Sequence, residues 1–193
     1  GKSNELVATA LVNGLIQVFP DQLQATLAGL TLLVDPDRGA DLVRQAGASP
    51  AQVADLLENS ASAAATPGVA TLIVDMLLGV GGRGFYSQFG TTQSASSRLL
   101  AEAAGTTVTD TVFDPACGIG GMLLALARAH DVAIVGADIA PTAVDVAKLQ
   151  ARLLGVTADF RCRDSLAHAV SSSRQRYRTV VVEAPLDQQA DAG

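Results

Sequence analysis

The stretch from Thr111 to Leu124, TVFDPACGIGGMLL, constrains the fold of this chain more than any other. It begins as a short apolar strand, Thr111 to Phe113, which runs into Asp114 and a proline. A turn with three glycines follows, and a helix is predicted to open at Met122. Glycines let the backbone approach a ligand closely, and the free N–H groups at a helix start favour an anionic group. The stretch therefore predicts a site for a small polar ligand at the end of a strand.

A second acidic residue follows the glycine turn at a matching place. The apolar run from Ala133 to Ile139 contains Asp138 near its end, 24 positions after Asp114. A carboxylate at the end of the second strand, about 20 residues beyond a glycine loop, is placed to accept hydrogen bonds from ribose hydroxyls. The segment from Thr142 to Leu154 is then predicted to be a helix, because a proline precedes it and Gly155 ends it.

Two more strands complete the alternating pattern. The third is predicted from Ala158 to Asp164, and the fourth is predicted from Thr179 to Val182. Strands that alternate with helices are typical of an α/β fold with a parallel sheet.

The string DPACG-x-GG at Asp114 to Gly121 closely resembles the S-adenosylmethionine-binding motif of N6-adenine DNA methyltransferases, in the version found in modification subunits of type I restriction-modification systems. The likeness continues in Gly136 to Ile139 and in Asp164-Ser165-Leu166, and it covers residues 84–187. It implies an α/β fold, with the first four strands of a Rossmann-like S-adenosylmethionine-dependent methyltransferase sheet after an all-helical N-terminal region. It also implies S-adenosylmethionine as the cofactor and adenine in DNA as the target.

The resemblance also implies roles for individual residues. Asp138 is expected to hold the ribose, Gly118 and Gly120 the methionine side, and Asp164 with Leu166 the adenine. Thr91 is expected to contact the cofactor because the segment Phe89 to Thr92 aligns with a family segment that lies against it. An alternative alignment of that family segment with Phe85 to Gln88 stays open. The complete set of expected cofactor-binding residues is Thr91, Asp114, Pro115, Ala116, Cys117, Gly118, Gly120, Asp138, Ile139, Asp164 and Leu166.

The catalytic motif of the family is altered in this chain. Family members have Asn-Pro-Pro and an aromatic residue after the fourth strand, where the aromatic ring stacks on a base turned out of the duplex. Here Glu183 and Pro185 stand at the first and third positions, Ala184 replaces a proline, and Leu186 replaces the aromatic residue. Stacking on a base contributes roughly 1–3 kcal/mol, so we expect weak methyl transfer or none.

Three classes of function therefore remain open from the sequence. The first, which the resemblance favours, is a fragment of an N6-adenine DNA methyltransferase that retains the cofactor-binding half. The second is a non-catalytic binding or assembly protein with the same fold, and the third is a different nucleotide-using α/β enzyme. The loop has neither the G-x-G-x-x-G spacing nor a Gly-Lys-Ser/Thr phosphate clamp, which speaks against the third class.

Residues 1–80 are predicted to form a helical N-terminal region, and residues 84–193 the truncated methyltransferase core. Asp21 is a predicted N-cap for Gln22 to Val34, and Ser49-Pro50 opens a helix from Ala51 to Asn59. Thr66-Pro67 repeats that arrangement before Val69 to Leu78. The glycine-rich Gly79 to Gly84 is the predicted joint between the two regions.

Charge and cysteine content limit the partners and the compartment. The net charge is −6, and up to Val80 three basic residues stand against eight acidic ones, a difference of −5. Because neutralisation of phosphates dominates DNA affinity, DNA contact is expected through a missing domain or partner subunits. The resemblance implies specificity and restriction subunits as such partners. Two isolated cysteines fit a reducing cytoplasm, no residue spacing predicts a metal site, and no apolar run predicts a membrane span.

The chain ends soon after the predicted fourth strand, which carries Val180, Val181 and Val182. An uncovered apolar edge strand tends to pair with another chain. We therefore expect either a fragment of a longer protein or an edge that a second copy or another subunit covers. The basic segment Ser171 to Arg178 before this strand is interpreted as a solvated loop rather than as a phosphate contact.

Overall fold

A computed structural model describes residues 4–66, 69, 72–73, 76–77, 103–104, 110–165, 167 and 177–182. Contacts divide the chain into two compact units, one of Gly1–Phe85 with Arg152–Gly155 and the other of Tyr86–Ala151 with Val156–Gly193. The predicted joint at Gly79 to Gly84 lies outside the described residues.

The described part of the first unit contains the helices α1 (Asn4–Val18), α2 (Gln22–Val34), α3 (Pro36–Gln45) and α4 (Pro50–Ala64). The described residues Val69, Leu72, Ile73, Met76 and Leu77 are helical as well. Two of the predicted helix starts are capped in the structure, whereas the predicted start at Thr66-Pro67 lies partly outside the described residues. Asp21 accepts a hydrogen bond from the N–H of Gln24 at 2.8 Å and so caps α2, as predicted. Ser49 and Gln52 form a reciprocal capping box at the start of α4, with Pro50 at the first helical position.

Two details of the helical unit differ from the sequence prediction. Helix α4 extends to Ala64 rather than to Asn59, so the alanine-rich segment is part of the helix. Asp35-Pro36 ends α2, but it also begins α3, because Asp35 accepts a hydrogen bond from the N–H of Arg38 at 3.2 Å. Helix α3 was not predicted, because its sequence is mostly polar and its buried face consists only of Gly39, Ala40 and Val43.

The helices of the first unit bury a core of small and branched apolar residues. The members are Val7, Ala8, Leu11, Val12, Leu15, Ala25, Ala28, Leu32, Ala40, Val43, Val53, Leu56, Ala63, Val69, Ile73 and Leu77. None of the described helices, in either unit, combines the length and the apolar character that crossing a membrane requires.

The second unit contains a parallel sheet of four strands in the order β3-β2-β1-β4. The strands are β1 (Val112–Asp114), β2 (Ile134–Asp138), β3 (Ala158–Cys162) and β4 (Thr179–Val180), and helices α5 (Gly121–His130) and α6 (Pro141–Leu154) follow β1 and β2. The predicted α/β fold, a Rossmann-like sheet after a helical region, is confirmed. Strands β2 and β3 lie on one side of β1, and β4 lies on its other side, so the strand order switches at β1. In parallel sheets, ligands bind at the carboxyl ends of the strands beside such a switch point.

Element boundaries moved by one to two residues from those predicted. β3 ends at Cys162 rather than at Asp164, and β4 ends at Val180 rather than at Val182. The pairing nevertheless continues one residue beyond each strand, since the N–H of Arg163 donates to the carbonyl of Asp138 at 2.9 Å and the N–H of Val181 donates to the carbonyl of Phe113 at 2.9 Å.

The apolar residues that recur along α6 in the sequence are Val146, Leu149, Leu153 and Leu154, and of these only Val146 is buried. The fully buried positions are Ala143, Val144, Val146, Ala147, Gln150 and Ala151, whereas Leu149, Leu153 and Leu154 are only half-buried. Small side chains permit a close approach, as at Ala147, whose Cβ lies 3.1 Å from the position that a Cβ on Gly120 would take. Among the described residues, the exposed large hydrophobic ones are Leu6, Ile16, Ile139, Val180 and Val182.

Candidate functional site

Asp114 ends β1 and is almost completely buried, with 3% of its surface exposed. Its Oδ1 accepts a hydrogen bond from the N–H of Ala116 at 2.9 Å, which tightens the turn through Pro115. The N–H of Cys117 then donates to the carbonyl of Ala137 in β2 at 2.9 Å. Asp114 therefore shapes the start of the loop from inside, and the loop is tied directly to the neighbouring strand.

Two glycines turn the loop into α5. Gly118 and Gly120 have φ values of 53° and 82°, a left-handed backbone that favours glycine. Gly120 is the N-cap of α5 and supplies no side-chain acceptor. The first N–H groups of a helix have no partner within the helix. The start of α5 thus offers backbone donors and a partial positive charge to an anionic ligand group, as the sequence predicts.

Asp138, at the end of β2, is hydrogen-bonded to the glycine loop that follows β1. Its Oδ2 accepts a hydrogen bond from the N–H of Gly118 at 2.7 Å, and its Oδ1 accepts one from the N–H of Ala140 at 2.9 Å. Each carboxylate oxygen can accept a second hydrogen bond. Asp138 therefore ties the glycine loop, whose residues 117–121 are buried, to the carboxyl end of β2.

A layer of residues behind the loop was not identified from the sequence. Phe160 of β3 is 5% exposed and lies opposite Gly136 in the strand register. A Cβ on Gly136 would come within 2.6 Å of the Phe160 ring and 2.8 Å of the Cys117 sulfur, and a Cβ on Gly120 would come within 2.8 Å of the same ring. The absence of side chains at these glycines makes room for the aromatic ring under the loop.

Gln150 of α6 supports the loop from another direction. Its side chain is buried, and its Nε2 donates to the carbonyl of Ile119 at 2.9 Å. Buried amide groups normally have a hydrogen-bond partner. A glutamine among the apolar positions of this helix was therefore the sequence signal that could have indicated a buried hydrogen bond to the loop.

Cys117 packs inside the loop. Burial raises the pKa of its thiol far above the ordinary value, and the carboxylates of Asp114 and Asp138 raise the pKa further. A thiol that stays protonated is a poor nucleophile. The structural interpretation of Cys117 is therefore favoured over a reactive one.

Two more predicted residues lie at the strand ends next to Asp138. Ile139 exposes 72% of its surface, an unusual environment for a branched apolar side chain directly after a strand. Asp164 follows β3, is exposed, and accepts a hydrogen bond at Oδ1 from the N–H of Ala167 at 3.0 Å. Ile139 and Asp164 thus follow the ends of adjacent strands, consistent with a ligand at this edge of the sheet.

Four of the predicted site residues fall outside the described residues: Thr91, Leu166, Glu183 and Pro185. Their roles remain predictions. Within the described part of the chain, no group of histidine, cysteine or acidic side chains is arranged to hold a metal ion.

Comparison with known proteins finds similarity in the strand-and-helix segment. Residues 112–191 match the family model of a methyltransferase domain. Among curated proteins, none matches this sequence.

Two solved structures are similar in fold. One is assigned as a class I S-adenosylmethionine-dependent methyltransferase from Listeria monocytogenes, with a TM-score of 0.68 at 15% identity, and the match covers 97% of this chain and 60% of that one. The other is the methyltransferase subunit of a type I restriction-modification system from Streptococcus thermophilus, with a TM-score of 0.57 at 19% identity over 85% of this chain and 44% of that one. The chain thus spans about half the length of these proteins. At such identities the likeness concerns the fold.

The methyltransferase domain and its fold imply S-adenosylmethionine as the cofactor, as the sequence predicts. The residues present are suited to it in chemical type. The acid at the end of β2 is an acceptor for ribose hydroxyls, and the glycine loop and helix start provide donors for an amino acid carboxylate.

Proposed function

We propose that this chain is the S-adenosylmethionine-binding part of an N6-adenine DNA methyltransferase, of the kind that serves as the modification subunit in type I restriction-modification systems. The observation that carries the proposal is the 2.7 Å hydrogen bond from Gly118 to Asp138, which joins the DPACG loop to the acid expected to bind ribose. The fold shared with a type I methyltransferase subunit supports it.

The proposed cofactor contacts follow the strand ends. Asp138 would use its remaining acceptor positions for the two ribose hydroxyls, and Gly118 and Gly120 would lie beside the methionine part at the first turn of α5. The exposed side chain of Ile139 would pack against the adenine ring, and Asp164 would accept a hydrogen bond from the adenine amino group. When bound, the cofactor supplies an activated methyl group.

Thr91 and Leu166 complete the proposed cofactor site from the sequence resemblance, together with the backbone of Asp114 to Cys117. In the same way Glu183 and Pro185 occupy the positions of the catalytic motif. Glu183 can accept a hydrogen bond from a target amino group, but Leu186 cannot stack on a base. Since stacking contributes roughly 1–3 kcal/mol, we propose that methyl transfer by this chain is slow.

The proposed partners follow from the resemblance and from charge. A net charge of −6 opposes binding to DNA phosphates, so we propose that DNA is held by a further domain or by specificity and restriction subunits. β4 is an edge strand of the described sheet, and the side chains of Val180 and Val182 are exposed there, so we propose that a second copy or another subunit pairs with this edge. The free thiols of Cys117 and Cys162 suit a cytoplasmic location.

A second function is favoured by the sequence Glu183-Ala184-Pro185-Leu186. A non-catalytic binding or assembly protein would keep the loop, the ribose acid and cofactor affinity, but would have no need of the Asn-Pro-Pro-aromatic motif. The two functions therefore share the cofactor site and differ only in methyl transfer.

Two measurements on the same preparation separate these functions. Calorimetric titration with S-adenosylmethionine and with S-adenosylhomocysteine tests the cofactor site. Incorporation of tritiated methyl groups into mixed-sequence DNA at low salt tests the activity, with a full-length type I modification subunit as the positive control. Binding with slow transfer supports the proposal, binding without any transfer supports the non-catalytic function, and no binding rejects both.

A matched variant sharpens the second measurement. The triple substitution Glu183→Asn, Ala184→Pro and Leu186→Tyr restores the family motif and leaves the cofactor loop unchanged. If the altered motif limits the reaction, this variant transfers methyl groups faster than the parent chain at equal cofactor affinity. Equal rates would mean that another feature of the chain is limiting.

A further inference from the structure

An arginine and two aromatic rings form a stack that spans the sheet. The guanidinium carbon of Arg163 lies 5.7 Å from the centre of the Phe113 ring. The Tyr177 ring stacks on the same phenyl group, with 4.5 Å between centroids and 18° between planes. Arg163 follows β3, Phe113 lies in β1 and Tyr177 precedes β4, so the stack links segments that are distant in sequence.

Arg163 is the residue directly before Asp164, and its backbone is fixed as well. Its N–H donates to the carbonyl of Asp138 at 2.9 Å, which continues the pairing of β2 with β3. Oδ1 of Asp164 in turn accepts a hydrogen bond from the N–H of Ala167 at 3.0 Å. Asp164 is therefore restrained by a hydrogen bond through its own carboxylate and by an anchored neighbour.

The anchoring of Arg163 has a specific physical basis. A guanidinium within about 6 Å of a ring centre is attracted by the negative face of the ring, more strongly where water is excluded. Nε of Arg163 is buried, and within the part of the chain that the structure describes it has no hydrogen-bond partner. Buried polar atoms without a partner are uncommon and require an explanation. Among the described residues, the contact with Phe113 favours this position for the guanidinium.

We propose that Arg163 is a positioning residue for cofactor recognition. Held against Phe113, it fixes the turn after β3 so that Asp164 points its carboxylate at the exocyclic amino group of the cofactor adenine. Arg163 thereby sets the preference for adenine over a purine without that amino group. This inference rests on the proposed function and deepens it.

The experiment measures base preference rather than affinity alone. Calorimetry gives the dissociation constants of S-adenosylhomocysteine and of S-inosylhomocysteine, in which a carbonyl group replaces the amino group and would face the carboxylate. The ratio of the two constants reports on Asp164, whereas a general loss of structure weakens both ligands alike.

We expect Arg163→Gln to reduce the adenine preference by about 2- to 30-fold, the range of a lost cation–π contact. Phe113→Leu removes the same contact from the other side and is expected to give a similar loss. Arg163→Lys keeps the charge without the planar group, so it restores the preference only in part. Arg161→Gln is the matched control, because Arg161 is a neighbouring half-buried cation of β3 that forms an ion pair with Asp159.

The outcomes are distinct. An unchanged adenine preference in both Arg163→Gln and Phe113→Leu, with the parent chain binding S-adenosylhomocysteine, overturns the role of Arg163 and leaves the proposed function standing. An equal loss of preference in Arg161→Gln also overturns it, since any cation on the strand would then suffice. If the parent chain does not bind S-adenosylhomocysteine, the proposed function fails and the inference fails with it. Thermal unfolding of each variant confirms that it is folded.

Discussion

Removal of the Asp138 carboxylate is expected to weaken both the fold and cofactor binding. From the sequence alone, Asp138→Ala would affect only the ribose contact. In the structure the carboxylate also accepts hydrogen bonds from the N–H groups of Gly118 at 2.7 Å and of Ala140 at 2.9 Å. The substitution therefore removes the link between the glycine loop and β2.

The size of the effect follows from these hydrogen bonds. A hydrogen bond to a charged group contributes about 1.5–3 kcal/mol, and a buried donor left without a partner costs about 1–3 kcal/mol. Asp138 is half-buried, so water can reach part of the gap. We expect Asp138→Ala to lower the free energy of unfolding by about 1–3 kcal/mol and to weaken S-adenosylhomocysteine binding by roughly 10- to 150-fold. Asp138→Asn retains one acceptor oxygen, so its loss of stability is expected to be about half as large.

Urea unfolding and calorimetric titration measure the two quantities on the same samples. Asp145→Ala is the matched control, because it removes an equally charged side chain that is exposed on α6 and whose ion-pair partner is Lys148 at 3.5 Å. An Asp138→Ala variant as stable as the control would refute the Gly118 contact. Normal stability together with normal affinity would remove Asp138 from the site altogether.

Three further predictions concern the layers around the site and the helical unit. Gly136→Ala is expected to destabilise the chain by about 1–3 kcal/mol, since the new methyl group would lie 2.6 Å from the Phe160 ring. Urea unfolding measures this loss, and a higher stability of the Gly136→Ala, Phe160→Leu double variant than of Gly136→Ala alone would confirm its cause. Ser49→Ala is expected to cost about 1 kcal/mol through loss of the capping box, and a thermal midpoint equal to that of the parent chain would contradict the cap. Iodoacetamide at pH 8 is expected to label exposed Cys162 in the native protein and buried Cys117 only in denaturant, because burial raises the pKa of the Cys117 thiol; peptide mass analysis distinguishes the two, and rapid native labelling of Cys117 would refute its burial.

The sequence by itself determined the features that depend on neighbouring residues. The glycine turn after Asp114, the cap at Asp21 and the capped start at Ser49 are set by local backbone and hydrogen-bonding preferences, and the structure confirms all three. The alternation of strands and helices likewise predicted the parallel sheet, because side-chain periodicity is a local signal. The short, charged α3 was missed since its buried face contains only a glycine, an alanine and a valine.

Only the tertiary structure decided which distant residues meet. Gly136 and Phe160 are 24 positions apart, yet the β2–β3 register places them opposite each other beneath the loop. The stack of Arg163, Phe113 and Tyr177 joins the residue after β3, the middle of β1 and the segment before β4, and the sequence had indicated a solvated loop at Tyr177. Such contacts depend on strand order and register, which require the whole sheet to assemble, and no local sequence pattern specifies them.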